Sequence, residues 1–324
     1  MQQTPSHMFT WVGVISALLV GGLVVTSLWL LQPQSHNNVV PSIVVLPFKN
    51  LSGDPKQEYF SDGITDDLIT DLSKVGSMRV IARQSAYHYK DNTAGLEEVA
   101  RELDVLYIIE GSVQKSDKNI RINVQLTNTE KGESIWAERF ITDTNNIFEV
   151  QDKITQHVVD AMYVTLSNKE AKRITSRATK NFDAYNAFLE GQQHIKMRTK
   201  QGYDMTLDAY QRAIQIDPNY ARTYGAMAVA LTLGYRFQWT ELSLVEARER
   251  TLELAKKAIA LDQSTPQIYW ALSYVHVHRR EFEDAEVAAK QSVALSPNYA
   301  DGYALLAYIA NWRGNPADAV SYIK

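Results

Sequence analysis

The chain has 324 residues, of which 45% are hydrophobic and 22% are charged, and its formal net charge is −4. This length and balance are typical of a globular protein with two domains. The charge gives no basic field for nucleic acid, and the lack of cysteine excludes disulfides, thiolate zinc sites and cysteine nucleophiles.

The N-terminal part predicts a membrane anchor. After a short tail at residues 1–8, Phe9–Leu31 is a run of 23 residues without a charge. As a helix it would reach about 34 Å, enough for a bilayer core. We expect it to stay uncleaved, because no Lys or Arg precedes it and no small-residue cleavage pattern follows. Residues 32–41 are polar with two prolines and predict a tether.

Three small residues share one face of this predicted helix. Gly13, Ala17 and Gly21 lie at i, i+4 and i+8, so another helix backbone could approach closely there. The first interpretation is that small residues are simply common in membrane helices. The alternative is a helix–helix seam and hence a homodimer.

An α/β domain is predicted over residues 42–166. Residues 43–48 are mostly β-branched or aromatic and nearly continuous, as in a strand covered on both faces. A turn follows at 50–55, and apolar residues then recur at helical spacing over 60–72. The other predicted elements are a strand at 78–82, a helix at 96–103, antiparallel strands at 106–115, 119–128 and 135–142, and a closing helix at 148–162. The order β-α-β-α-β-β-β-α predicts a mixed sheet with helices packed on it.

Several blocks of this domain match a known pattern in the right order. They are IVVLPFKNLSGDPKQEYFSDGITDDLITDLSKVGSMRVIARQSAYHYK, VARELDVLYIIEGSVQK and SIWAERF. This region resembles the TolB-N-terminal-like (FlgO-like) domain. In that family the domain lies between a membrane helix and tetratricopeptide repeats, attached to class III adenylate cyclases, winged-helix regulators or kinases. The resemblance implies a single-pass protein of the inner (plasma) membrane whose bulk is extracytoplasmic, or periplasmic in a cell with two membranes.

No motif in the chain predicts chemistry. Four aspartates of the first predicted helix have carboxylates that are candidate ligands for a divalent cation, but we interpret them as a solvated acidic face. They are Asp62, Asp66, Asp67 and Asp71. Gly53 is interpreted as a turn residue and not as part of an anion nest. The sequence has no P-loop and no kinase, hydrolase, zinc-protease or C-x-x-C strings. We therefore expect no catalytic residues, no cofactor and no metal.

A basic stretch separates the two predicted domains at residues 167–182. Its cations are Lys169, Lys172, Arg173, Arg177 and Lys180, against a lone Glu170. A basic linker or solvated helix extension is the first interpretation, and contact with anionic lipid headgroups is the alternative.

The last third, residues 183–324, is internally repetitive. Tyr269 and Tyr303 are 34 residues apart, as are Ala285 and Ala319, and Pro297 closes a unit. This period resembles the tetratricopeptide repeat. One unit carries an excess of 11 residues, which we place at 234–244, between its two helices. The last unit stops about nine residues short of a full period, so we expect the chain to be a fragment of a longer one.

Stacked repeats of this kind line a groove with their first helices. The positions that should face it are aromatic-rich, as in surfaces that anchor peptides. An equal alternative is that these rings only fill the packing between repeats. The predicted groove residues are Gln267, Trp270, Tyr274, His278, Asp301, Tyr308 and Trp312.

The sequence thus predicts a membrane-anchored, extracytoplasmic scaffold or sensor that binds a protein or peptide in its repeat groove and performs no chemistry. One alternative is the sensory part of an adenylate cyclase. Cyclases of that family need a separate domain with two metal-binding aspartates, so we expect this chain not to cyclise ATP. Another alternative is a membrane-bound CadC-type regulator, whose winged helix would also lie outside this chain.

Overall fold

The computed structural model describes residues 40–90, 94–174 and 178–323. The predicted membrane helix, Phe9–Leu31, and its small-residue seam lie outside these ranges. Within them, no helix combines the length and the apolar character that crossing a bilayer requires.

A mixed sheet forms the first half of the described chain, as predicted. The strands are β1 (Ser42–Val45), β2 (Lys49–Asn50), β3 (Arg79–Val80), β4 (Tyr107–Ser116), β5 (Asn119–Asn128) and β6 (Glu133–Asp143). Their order in the sheet is β3-β1-β4-β5-β6, and β2 pairs with β4. β1 is parallel to β3 and β4, while β4, β5 and β6 form an antiparallel meander.

Helices cover both faces of β1, which explains its continuous apolar run. Ile43 and Val45 face the main core, whereas Val44 faces a smaller core formed with Ala86 and Val99. Successive side chains of a strand point to opposite faces, so apolar residues are required at consecutive positions from Ile43 to Val45. The helices of this half are α1 (Glu58–Ser73), α2 (Arg83–Tyr87), α3 (Leu96–Leu103), α4 (Ile147–Ala161) and α5 (Asn168–Ile174).

Paired helices follow, which confirms the predicted helical repeats. In the described part of the chain, four pairs stack in order, and we call the face formed by the first helix of each pair the inner face. The pairs are α6 (Phe182–Ile195) with α7 (Lys200–Ile216), α8 (Ala221–Arg236) with α9 (Leu244–Leu261), α10 (Pro266–Arg279) with α11 (Phe282–Leu295), and α12 (Ala300–Trp312) with α13 (Pro316–Ile323).

The excess in the second pair is not confined to the connection. α8 has 16 residues and α9 has 18, whereas α10 and α11 have 14 each. The connection at 237–243 is also longer than the two residues between α10 and α11. A capping box of Ser243 and Glu246 begins α9 and ends this connection.

The sheet and the repeats share one hydrophobic core. Ile64 and Leu68 of α1 belong to the same buried cluster as Phe188 and Leu189 of α6 and Tyr210 of α7. α1 is therefore buried on two sides, against the sheet and against the repeats.

Candidate binding surface on the repeats

Helix α1 lies across the N-terminal ends of the inner-face helices. Polar contacts join it to each pair in turn, so the repeats hold α1 as they would hold a helical ligand. The contacts are Tyr185 Oη to Asp67 Oδ2 at 2.6 Å, Arg222 Nη1 to Asp67 Oδ1 at 2.7 Å, Gln267 Nε2 to Thr70 Oγ1 at 3.1 Å, and the Asn298 amide to the Ser73 carbonyl at 3.2 Å.

The acidic face of α1 is not solvated, so that interpretation is wrong. Each of the four aspartates is buried or half-buried and has a cationic partner. Asp62, Asp66 and Asp67 meet basic side chains from other parts of the chain, and Asp71 pairs with Lys74 at the end of α1 itself. The pairs are Asp62 with Lys90 at 2.5 Å and with Lys196 at 3.6 Å, Asp66 with Arg83 at 2.5 Å, Asp67 with Arg222 at 2.7 Å, and Asp71 with Lys74 at 2.7 Å.

Asn298, just before α12, fastens the last described pair to the edge of the sheet. Its Nδ2 donates to the carbonyls of Val75 and Met78, both at 2.8 Å. Its Oδ1 accepts from the amide of Val80 in β3 at 3.2 Å. One side chain thus satisfies three backbone groups of the other domain.

The described part of the basic stretch that forms α5 also packs against neighbouring elements. Within α5, Arg173 Nη1 donates to the Leu295 carbonyl at 2.6 Å, and the Arg173 carbonyl accepts from Lys74 Nζ at 3.0 Å. Glu170 accepts from the Gly76 amide at 2.8 Å. α5 therefore links α1 to the end of α11, which the interpretation as a solvated extension did not predict.

A cavity of about 460 Å³ lies between α1, α2 and the inner face. Apolar side chains form much of its wall, including Phe188, Val229, Leu233 and Ala304. This combination of an apolar wall with a few convergent polar groups is typical of a ligand site.

Asp301 is the unpaired charge of this cavity. Among the described residues that line it, Asp66, Arg83, Lys196 and Arg222 have ion-pair partners, but the Asp301 carboxylate has none. Partial burial disfavours the charged form of both side chains, so it raises the pKa of the Asp301 carboxyl and lowers the pKa of Lys196. The cavity thus exposes a carboxylate that a cationic group could neutralise.

The predicted groove residues all lie on two first helices, α10 and α12. Gln267 contacts α1 and, like Trp270 and Asp301, lines the cavity, and Trp270 Nε1 donates to the Asp301 carbonyl at 3.2 Å. On α10 the rings of Trp270 and Tyr274 stack with centroids 5.3 Å apart, and Tyr274 meets His278 edge-on with centroids 4.4 Å apart. On α12, Tyr308 is 45% exposed and Trp312 is 53% exposed, with Trp312 stacked on Phe282.

One cluster of the described residues has the right atoms for a metal ion. His276, Glu281 and Asp284 place possible ligand atoms within 4.8 Å of one another. However, Arg279 lies 2.9 Å from both carboxylate oxygens of Glu281, and His276 Nδ1 lies 2.7 Å from Oε2. This guanidinium opposes a cation, so the cluster is better described as an ion-pair network.

Sequence reasoning missed the contacts between α1 and the repeats. Arg222 and Gln267 are the second residues of the successive first helices α8 and α10, and both contact α1, so that regular position was the available signal. Arg222 is 155 residues from Asp67, so no local pattern links the two.

The chain is similar over its larger part to one curated protein. It is 38% identical over 260 residues to "Putative adenylate cyclase 3" from Rhizobium meliloti (strain 1021), which covers 79% of this chain. The chain spans less than half of that protein, 44% of its length. No protein-family profile matches the sequence.

Solved structures with similar parts include helical-repeat proteins. TTC0263, a thermophilic TPR protein of Thermus thermophilus, is 15% identical, with a TM-score of 0.38, over 54% of this chain and 79% of its own. MamA is 24% identical, with a TM-score of 0.30, over 40% of this chain and 69% of its own.

Proposed function

We propose that this chain is a non-catalytic binding module whose inner face holds a segment of a partner protein. The observation that carries the proposal is the aromatic surface beyond α1, formed by the exposed Tyr308 and Trp312 and the half-buried Trp270 and Tyr274. Aromatic rings that are partly exposed on an otherwise packed surface are typical of binding hot spots. α1 itself is an internal example of a helix bound by this face.

The cavity suggests the chemistry of the partner. A Lys or Arg side chain of the bound segment would place its aliphatic stem on Val229, Leu233 and Ala304 and its charge beside Asp301. Such a side chain would neutralise the one unpaired carboxylate among the described residues of the cavity.

Binding should be lost when the exposed rings are removed. The full chain would be used to capture partners from native membrane and envelope extract, beside a Trp270→Ala, Tyr308→Ala variant and an Asp301→Asn variant. A hot-spot ring contributes about 2 kcal/mol, so the affinity of the aromatic variant should fall about thirtyfold or more.

Tyr163→Ala is the matched control, because this ring is 93% exposed and lies after α4, away from the inner face. It should bind like the wild type. Asp301→Asn should weaken binding at neutral pH and remove any loss of binding as the pH falls through the raised pKa of Asp301. A partner that binds all four proteins equally would exclude the inner face as its site.

The Rhizobium relative favours a second candidate, the sensory or regulatory part of an adenylate cyclase. The 38% identity over 260 residues supports it, although the shared region is less than half of that protein. The test is to sequence the gene upstream of Met1 and to assay the longest product for conversion of ATP to cyclic AMP. Activity that changes in the Trp270→Ala, Tyr308→Ala variant would favour this candidate; an inactive product would count against it.

We also propose that Phe9–Leu31 anchors the module in the plasma membrane with its bulk on the extracytoplasmic side. Alkaline phosphatase fused after Lys324 should then be active, and a fused fluorescent protein that folds only in the cytoplasm should be dark. The dimer seam predicts that Gly13→Ile with Gly21→Ile reduces self-association in a membrane reporter. An inactive phosphatase together with a fluorescent fusion would contradict the extracytoplasmic orientation. Unchanged self-association would contradict the dimer seam.

A further inference from the structure

A second cavity, of about 160 Å³, lies between the C-terminal ends of α8 and α10 and the start of α9. Its lining includes four basic residues: Arg236 of α8, Arg248 of α9, and His278 and Arg279 of α10. No acidic side chain is among the described residues that line it. The charged side chains of this wall are therefore all basic, whereas the larger cavity has both acidic and basic side chains.

Two nitrogen atoms in this wall are buried without a hydrogen-bond partner, Arg248 Nε and His278 Nε2. Arg279 is already engaged, since its Nε donates to both carboxylate oxygens of Glu281 and its Nη1 to the Arg248 carbonyl. A buried donor without an acceptor is unfavourable, so such atoms indicate a missing acceptor group.

We propose that this cavity binds a small oxyanion, a phosphate or carboxylate group, between Arg236, Arg248 and His278. Guanidinium groups donate in a planar fork that suits both kinds of oxyanion. A cation would be repelled by Arg236 and Arg248, and an apolar ligand would leave both nitrogen atoms unpaired. The four aromatic residues of the proposed partner surface are not among the described residues that line this cavity, but Tyr274 contacts His278 edge-on. Anion binding does not depend on the proposed partner binding.

His278 provides an internal reporter of occupancy. Burial, together with the nearby Arg236, lowers the pKa of His278 to about 4, so the ring is neutral at pH 7 and Nε2 can donate as N–H. The other groups around it are the Tyr274 ring at 4.4 Å, Arg248 across the cavity, and Arg279 on its own helix. A bound anion would stabilise the imidazolium form and raise this pKa.

The test is calorimetric titration of the full chain with inorganic phosphate and, separately, with acetate. Arg248→Gln should weaken binding at least tenfold, because it removes a charged donor. Arg250→Gln is the matched control, since Arg250 is exposed on the same helix and does not line the cavity. In parallel, an NMR pH titration should show the midpoint of His278 rising with the bound anion in the wild type and in Arg250→Gln, but not in Arg248→Gln.

The two anions distinguish the sources of the ligand group. Binding of phosphate alone would identify a phosphate site, acetate alone a carboxylate site, and both a general oxyanion site. If neither anion binds the wild type, or if Arg248→Gln binds as tightly as Arg250→Gln, the proposal is overturned. A failure of this kind leaves the partner-capture experiment unaffected.

Discussion

Replacing Asp67 with Asn should destabilise the chain by about 3 kcal/mol, because a buried ion pair that loses one partner leaves the other charge uncompensated. The Asp67 and Arg222 side chains are only 14% and 18% exposed. Burial alone would lower the pKa of Arg222, but the Asp67 carboxylate outweighs it and raises that pKa. The variant would therefore keep a charged guanidinium facing a neutral amide.

The measurement is urea unfolding of the purified full chain. Asp204→Asn is the control, since its pair with Lys200 is 54% exposed on both sides and an exposed i,i+4 pair contributes no more than about 0.5 kcal/mol. A cycle of Asp67→Asn, Arg222→Met and the double variant would give their coupling energy. If Asp67→Asn were as stable as Asp204→Asn, the contact between α1 and the repeats would not stabilise the fold as we infer.

Replacing Phe188 with Ala should also be severe, with a loss of about 3–5 kcal/mol. Phe188 is 1% exposed and lies where the core of the repeats joins the larger cavity. The centroid of its ring lies 5.8 Å from that of Tyr210, 5.2 Å from that of Tyr220 and 4.9 Å from the guanidinium carbon of Arg222. Truncation would remove these contacts and enlarge the cavity of about 460 Å³.

The same unfolding experiment tests this expectation with two further variants. Phe188→Leu keeps most of the volume and should lose roughly 1 kcal/mol, mainly from the ring contacts. Phe237→Ala removes a ring that is 50% exposed and should cost no more than about 1 kcal/mol. Equal losses for Phe188→Ala and Phe237→Ala would show that the core can collapse around the missing ring.

Local periodicity was enough to predict the architecture. Ile120, Ile122, Val124 and Leu126 alternate with polar residues in the sequence, and all four are buried on one face of β5. Likewise, the 34-residue spacing of Tyr269 and Tyr303 located successive first helices, because each repeat buries the same positions against its neighbour.

The site was only partly predictable. The 34-residue repeat period placed Trp270, Tyr308 and Trp312 on first helices, where the structure also has them. It could not show that α1 covers the N-terminal ends of those helices, nor that His278 turns toward a basic cavity with Arg248. The first relation depends on how a preceding domain docks, and the second depends on how neighbouring helix pairs pack against each other. A repeat period contains neither kind of information.

By itself, the sequence determined the longer elements of the described residues and their order, since backbone geometry imposes a period of two on strands and of 3.6 on helices. The two-residue strand β2 and the five-residue helix α2 are too short to show a period and were not predicted. Only the tertiary structure decided what the acidic face of α1 meets. A row of aspartates at helical spacing has the same pattern whether it faces water or cations. The partners of Asp66 and Asp67 are Arg83, 17 residues away, and Arg222, 155 residues away. Folding brings these charges together. The side of α1 that we expected to be solvated therefore packs between the sheet and the repeats and joins the two domains.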